Sequence, residues 1–445
     1  MFKLDSKKIN IAYLGLFLGF LTLEFCMLWW IGGPLMTPDS HSYLASVSNP
    51  LNAVGEWHPP GMPLLFWFFS QLGVLPHIVP AFLGALRGLL TTLLIRPNRW
   101  WHWLVVSAIF FAPPLLFVDL SFWSESTFIV FILFIAWLFK LNFCFGYFLL
   151  IVFIPLLSQI RYSGFFLLPA GCIALFLLLR KKRLHFRFSK VFIYVISILP
   201  MIVWMTINFG VTGHPTKMSR SAVQCKSLLA TLADINFCSL RSSVGICILD
   251  SDRTFFNDKY KRSTFFRNDL QFSPNSPMIK YEKIYGTSGV CQVARDSLNE
   301  LVIEHSFILI WTLMERWIWQ FGKWESTEAG HPYLLLNDKL MSSSISSMMD
   351  RLLVRFQTSF FSGLLFVSSF GVLFLRAARR PEICFLIIGA WTHALGIAFI
   401  NPFLSLRYMV IHQMMIAIGV ALVLARIYPH GGWERRDGNT HAIDS

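Results

Sequence analysis

The sequence predicts an all-α polytopic membrane protein with about ten transmembrane helices and a large extracytoplasmic insertion. Of its 445 residues, 55% are hydrophobic and only 14% are charged, and the mean hydropathy is +0.58. A soluble globular protein does not reach this balance. The apolar residues recur in runs of about 20, the length that an α-helix needs to cross the hydrocarbon core, which indicates a helical bundle rather than a barrel.

The distribution of Lys and Arg predicts the orientation of the chain. With the N-terminus inside, the predicted inner loops contain most of the basic clusters, among them Arg180 to Lys190 and Arg376 to Arg380. The short outer loops contain almost none, as the positive-inside rule expects. The net charge of +14 follows from this sorting and does not indicate a nucleic-acid partner. The predicted spans lie near 11–31, 76–95, 103–120, 125–140, 146–160, 164–180, 190–209, 357–376, 382–400 and 408–426.

These spans divide the chain into four regions. We predict an N-terminal transmembrane core over 1–209 with a first outer loop at 32–62, an extracytoplasmic block over 210–355, C-terminal transmembrane helices over 356–428 and a cytoplasmic tail over 429–445. The first span is expected to be an uncleaved anchor, because it is too long for a signal-peptide core and lacks a small-residue cleavage site.

The extracytoplasmic block contains two further features. It holds four of the eight cysteines, and in an oxidising compartment these predict two disulfides with three possible pairings: Cys225, Cys238, Cys247 and Cys291. Residues 301–324 are apolar and rich in Trp. We predict an interfacial helix there, because a crossing would place the basic residues 376–380 on the outer side.

Five short polar clusters fall on the outer side of this topology. They are Pro38 to Leu44, His58 to Pro63, Ser121 to Ser126, Ser158 to Gly164 and Asn401 to Tyr408. The sequence places segments that are far apart in the chain on one face of the bundle, which is how a site is assembled between helices.

These clusters resemble the motifs of the GT-C glycosyltransferases. The shared features are an acidic residue in the first outer loop, a following His-Pro-Pro, a Ser-Glu at the start of a later helix, and Arg-Tyr pairs at outer span ends. The family includes the protein O-mannosyltransferases and the lipid A aminoarabinose transferases. The resemblance covers roughly 1–210 and 356–430, and it implies transfer of a sugar from a polyprenyl-phosphate donor to a lipid, glycan or protein acceptor, with inversion at the anomeric carbon.

The same resemblance assigns Asp39 to the catalytic carboxylate of the first outer loop. Many relatives have Asp-Glu at this point, whereas this chain has Asp39 followed by Ser40. The acceptor class and any requirement for a divalent metal therefore stay open. A carboxylate in a partly dry loop can act as a general base toward an acceptor hydroxyl, which gives Asp39 a chemical role that does not depend on the family.

The remaining candidate residues are assigned to substrate binding. Arg161 and Arg407 stand nearly alone at outer boundaries, and a guanidinium can hold the anionic phosphate of the donor by a planar two-point contact. The full set is Ser40, Tyr43, His58, Glu125, Arg161, Tyr162, Arg407 and Tyr408.

Structural alternatives exist for several of these residues. Asp39 suits a helix N-cap, Glu125 suits the positive end of a helix dipole, and Arg161 and Arg407 could bind lipid headgroups. His58 could simply shape a turn. Other polar residues lie within predicted spans: Glu24 and Arg87, which would form a structural ion pair if they meet, and His393 and His412, which are expected to be hydrogen-bonded core residues.

Two other function classes also fit the sequence. A lipid-linked oligosaccharide flippase or transporter would place ionisable groups at mid-membrane depth. A polysaccharide polymerase or ligase also acts on lipid-linked sugars. The glycosyltransferase interpretation is favoured because the polar clusters gather at one surface, and the predicted location is the bacterial inner membrane with the active site facing the periplasm.

Overall fold

The computed structural model of the chain is helical throughout the part that it describes. Within that part no strand is formed. The described residues are 6–34, 38–45, 47–49, 59, 61–122, 124–141, 144–182, 206, 225–226, 277–322, 359–375, 379–400 and 406–427.

The N-terminal half forms helices α1 to α9, and the C-terminal part forms α10 to α14. Two 3₁₀ turns, Pro76–Ile78 and Tyr162–Leu167, precede α4 and α9. The first nine helices are α1 (Ser6–Ile31), α2 (Pro38–Ala45), α3 (Gly61–Gln71), α4 (Val79–Ile95), α5 (Trp100–Phe110), α6 (Pro113–Asp119), α7 (Ser124–Leu141), α8 (Cys144–Ile160) and α9 (Leu168–Lys182). The others are α10 (Pro277–Glu304), α11 (Ser306–Gly322), α12 (Ser359–Phe374), α13 (Pro381–Ile400) and α14 (Leu406–Ile427).

Several of these helices are long and apolar enough to cross a membrane. In the described residues there are five such segments: Ile11–Trp30, Ser124–Leu141, Ser163–Arg180, Pro381–Phe399 and Tyr408–Arg426. Shorter apolar helices occupy Val79–Ile95, Trp100–Phe110, Leu149–Ser158 and Leu364–Phe374. The structure therefore supports an all-α integral membrane protein. The number of ten spans is not confirmed, and apart from Thr206 the predicted span near 190–209 lies outside the described residues.

The prediction of one continuous span near 103–120 is wrong, because the chain forms two short helices there. α5 ends at Phe110 and α6 begins at Pro113. Pro113 occupies a first-turn position of α6, where its missing N–H costs nothing. Two consecutive prolines at 113 and 114 cannot continue the hydrogen-bond ladder of α5, so the chain breaks before them.

The break in this predicted span positions a buried ion pair. Arg87 of α4 donates to Asp119 at the end of α6 (Nε to Oδ2, 2.5 Å), and both side chains are fully buried. The same guanidinium donates to the carbonyl oxygens of Ile109 (3.2 Å) and Phe110 (3.0 Å). Arg87 thus satisfies carbonyls that the end of α5 leaves open.

Glu24 does not form the ion pair with Arg87 that the sequence suggested. Its side chain on α1 is fully buried, and it has Asp119 and Arg87 as electrostatic neighbours. Within the described part of the chain, neither carboxylate oxygen has a hydrogen-bond partner. Arg87 pairs with Asp119 because α6 ends beside it.

The C-terminal helices pack around α13. The indole N–H of Trp317 on α11 donates to the carbonyl oxygen of Trp391 on α13 (3.2 Å), and Phe321 stacks on Phe366 of α12 with ring centroids 4.6 Å apart. α11 lies within the predicted interfacial segment 301–324. Its interfacial placement stays a prediction.

α10 is tied to a segment that lies about 60 residues earlier in the chain. Cys225 and Cys291 form a disulfide, and Lys226 pairs with Glu282 at 2.7 Å. This is one of the pairings that the sequence left open. Cys238 and Cys247 lie outside the described residues.

We expect the substitution Arg87→Met to lower the stability of the protein by roughly 3–5 kcal/mol, because it leaves Asp119 as an uncompensated buried charge. The double substitution Arg87→Met/Asp119→Leu removes both charges and should recover most of that loss. Thermal unfolding in detergent measures both effects. Equal losses in the single and the double variant would contradict a charge-based cause.

Candidate active site

The candidate site lies at the N-terminal end of α7. The first turn of this helix contains Ser124, Glu125 and Ser126, all of them buried. A carboxylate in the first turn is favoured by the positive end of the helix dipole. This explains why a charged residue can begin an otherwise apolar helix.

Arg161 reaches the start of α7 from the C-terminal end of α8. It follows the last residue of α8 in an extended conformation (φ −147°, ψ 139°) and precedes the turn Tyr162–Leu167. Its Nη1 forms an ion pair with Oε1 of Glu125 and donates to the hydroxyl of Ser124 (3.2 Å). The side chain is only 9% exposed, and a buried guanidinium of this kind needs such a partner.

Tyr408 completes this arrangement from α14. The guanidinium carbon of Arg161 lies 4.8 Å from the centre of the Tyr408 ring, a cation–π contact that orients the plane of the guanidinium. Three of the predicted outer clusters, 121–126, 158–164 and 401–408, are thus brought together at Arg161. The contact between Glu125, Arg161 and Tyr408 is a finding of the structure, because the sequence placed them on one face without predicting which side chains meet.

The predicted first outer loop docks next to this group through α2. The hydroxyl of Ser40 donates to the carbonyl oxygen of Phe122 (3.1 Å), two residues before Ser124. Tyr43 is 2% exposed and its ring lies 6.2 Å from that of Phe66, which stacks on Phe122 at 4.9 Å. The α2 helix is therefore attached to the segment that leads into α7.

Other predicted site residues lie partly or wholly outside the described part of the structure. Asp39 is the second residue of α2, Tyr162 begins the 3₁₀ turn and Arg407 is the second residue of α14. For these three the backbone position is described and the side chain is not. His58 lies outside the described residues.

A second set of polar residues supports Arg161 from the bundle interior. The hydroxyl of Ser163 lies 3.1 Å from Nε2 of His393 on α13. The ring of His393 is 5.8 Å from that of His412 on α14, and the His412 ring in turn contacts Phe321 of α11 at 5.0 Å. His393 is thus a hydrogen-bonded core residue, as predicted, and it fixes the turn that follows Arg161.

Three residues of the site, Ser124, Ser163 and His393, were not predicted from the sequence. Ser124 and Ser163 belong to the clusters that were singled out, but hydroxyls next to a charged residue gave no separate signal. The sequence did contain a signal for His393, since a polar side chain within an apolar span needs a partner at that depth. What the sequence lacked was the position of α13 against the turn at 162–167.

The acid–base and metal-binding groups of the described site are few. Glu125 is already paired with Arg161. Among the residues described, no three His, Cys, Asp or Glu side chains come close enough to hold a metal ion. The described geometry therefore assigns Glu125 a structural task, that of holding Arg161, and the requirement for a metal stays open.

Comparison with known proteins adds no assignment: no family model, curated protein or solved structure matches the chain.

We expect Gly164→Ala to destabilise the protein by about 1–3 kcal/mol through overpacking. A Cβ on Gly164 would overlap the backbone carbonyl of Leu157 on α8, so either the turn or α8 has to shift. The matched control is Gly371→Ala on α12, where a Cβ meets no other atom and where alanine favours the helix by up to about 1 kcal/mol. Thermal unfolding in detergent compares the two, and equal stability of both variants would contradict the close packing of the turn.

Proposed function

We propose that this protein is an integral membrane glycosyltransferase of the GT-C type. It transfers a sugar from a polyprenyl-phosphate donor to a lipid, glycan or protein acceptor at the extracytoplasmic face of the bacterial inner membrane. The proposal rests on the site around Arg161, on the docking of α2 beside it and on the motif resemblance.

The arrangement of Arg161 is the observation that carries the proposal. Both described polar contacts of its guanidinium use Nη1. Within the described part of the chain, Nε and Nη2 have no hydrogen-bond partner. This second edge of the fork has the two parallel N–H groups that bind a phosphate by two-point contact. Glu125 and Tyr408 hold the fork in place, so little conformational freedom is lost when a phosphate binds.

The pairing with Glu125 also sets the charge of the site. Arg161 and Glu125 neutralise each other, so the pair can stay buried before the donor arrives. An incoming phosphate meets N–H donors in a partly dry environment, where charge-assisted hydrogen bonds are strong. Arg161 would stabilise the negative charge that develops on the leaving phosphate as its bond to the anomeric carbon breaks.

The proposed reaction is a direct displacement. The hydroxyl oxygen of the acceptor attacks the anomeric carbon, the bond from that carbon to the phosphate oxygen breaks, and polyprenyl phosphate leaves. Asp39 takes the hydroxyl proton as general base. Its place on α2 supports this role, because Ser40, the next residue, is hydrogen-bonded to Phe122 close to the start of α7.

The disulfide supports the proposed sidedness. Disulfides such as Cys225–Cys291 form and persist in oxidising compartments such as the periplasm. Together with the inner bias of Lys and Arg, the disulfide favours an extracytoplasmic location for α10 and for the part of the chain that contains Cys225.

One observation favours a second candidate, a lipid-linked oligosaccharide flippase or transporter. Glu24, Arg87 and Asp119 are fully buried together on helices α1, α4 and α6. Ionisable groups inside a membrane bundle often mark a substrate or proton pathway. Arg87 also satisfies backbone carbonyls of the broken span, and this structural role makes the flippase the second choice.

The test is acceptor-dependent release of free polyprenyl phosphate from a labelled polyprenyl-phosphate sugar by the purified protein. We expect Asp39→Asn to reduce this release by about 10²–10⁴-fold, the usual contribution of a general base, with the fold retained in size-exclusion chromatography. Asp296→Asn on α10 makes the same chemical change outside the site and serves as the control. No release from any such donor, or full release by Asp39→Asn, would overturn the mechanism. Donor movement across vesicles without release would favour the flippase.

A further inference from the structure

Basic side chains from four helices meet at the end of the bundle that lies opposite the candidate site. Arg96 directly follows α4, Lys140 lies in the last turn of α7, Arg380 directly precedes α13 and Arg426 lies in the last turn of α14. We call these four residues the basic end. The charged groups that interact with Lys140 are Arg96, Arg380 and Glu382, and Arg426 pairs with Glu382 at 2.8 Å.

The depth of the basic end in the membrane follows from the helices that end there. α7, α13 and α14 each contain a segment long and apolar enough to cross a membrane, and each has one terminus at this cluster. A spanning helix ends where the hydrocarbon gives way to the headgroups. The basic end therefore lies at the level of lipid phosphates. Lys140 is separated from Glu125 by about 22 Å along α7, at 1.5 Å per residue.

The described residues around the basic end do not balance its charges. In the part of the chain that the structure describes, one carboxylate, Glu382, faces the four cations, and it is 4% exposed and paired with Arg426. Lys140 donates to the carbonyl oxygens of Leu93 (3.2 Å) and Leu94, and so caps α4. This interaction with a helix C-terminus uses one cation only.

Two exposed basic groups remain for a ligand. Arg96 and Arg380 are exposed, and within the described residues neither forms an ion pair. Arg426 stays paired with Glu382, and its Nη1 is buried without a hydrogen-bond partner among those residues. Guanidinium groups that come from separate helices and lie at headgroup level have the charge and the N–H donors to bind a phosphate diester.

We propose that the basic end binds the phosphate group of an anionic glycerophospholipid. Basic pockets between transmembrane helices recognise phosphate-bearing headgroups in this way. The bound lipid would bridge the end of α4 and the start of α13 and offset the repulsion between the cations of the basic end. This site is separate from the proposed glycosyltransferase site and does not depend on it.

The test is native mass spectrometry of the full-length protein in detergent, titrated with phosphatidylglycerol. Parallel titrations use phosphatidylcholine and inorganic phosphate. The test variant is Arg96→Gln/Arg380→Gln. The matched control is Arg180→Gln, which removes an exposed cation from the end of α9. We expect phosphatidylglycerol to bind about fivefold more weakly for each cation removed from the basic end, and Arg180→Gln to leave the affinity unchanged.

One further variant and the two parallel titrations separate specific binding from general charge effects. Arg380→Lys keeps the charge and should retain most of the binding. Equal affinity in the double variant and in Arg180→Gln would overturn the proposal. Equal binding of phosphatidylcholine would overturn the requirement for an anionic lipid, and displacement of phosphatidylglycerol by an equal concentration of inorganic phosphate would show that the site takes free phosphate rather than a lipid headgroup.

Discussion

The ion pair between Arg161 and Glu125 is the interaction on which the proposed site depends. It links the start of α7 to the segment after α8, and the ring of Tyr408 adds α14 to the same point. A buried guanidinium without a carboxylate would carry a desolvation penalty of several kcal/mol. The pair removes this penalty and at the same time orients one edge of the guanidinium away from Glu125. One residue therefore meets a structural requirement of the bundle and has the proposed binding function.

The interior of the bundle contains a second charged group with a different role. Arg87 and Asp119 close the gap that the prolines at 113 and 114 open between α5 and α6. Backbone carbonyls cannot stay unpaired in hydrocarbon, so the broken span needs donors from a neighbouring helix. Arg87 supplies them, and Asp119 compensates its charge. Polar residues in this membrane protein thus form hydrogen bonds with open backbone carbonyls at one place and form the candidate site at another.

The fold class could be predicted from the sequence because apolar length and the distribution of basic residues are read directly from the chain. The grouping of Glu125, Arg161 and Tyr408 on one face followed from the same topology. The break at 111–112 was missed because the apolar composition continues across it, although Pro113 and Pro114 were a visible signal. The partner of Arg87 could not be predicted, since Asp119 reaches it only through that break. Ser163 and His393 are 230 residues apart, and no local pattern indicates a contact of that range.

The most direct test of the account is the binding of polyprenyl phosphate to the purified protein, without acceptor, in wild type, Arg161→Gln and Arg180→Gln. The account predicts that Arg161→Gln loses most of the affinity, because the two-point contact with the phosphate is lost, and that Arg180→Gln binds as the wild type does. Retention of full affinity in a folded Arg161→Gln variant would contradict the central claim that Arg161 is the phosphate-binding residue of the site.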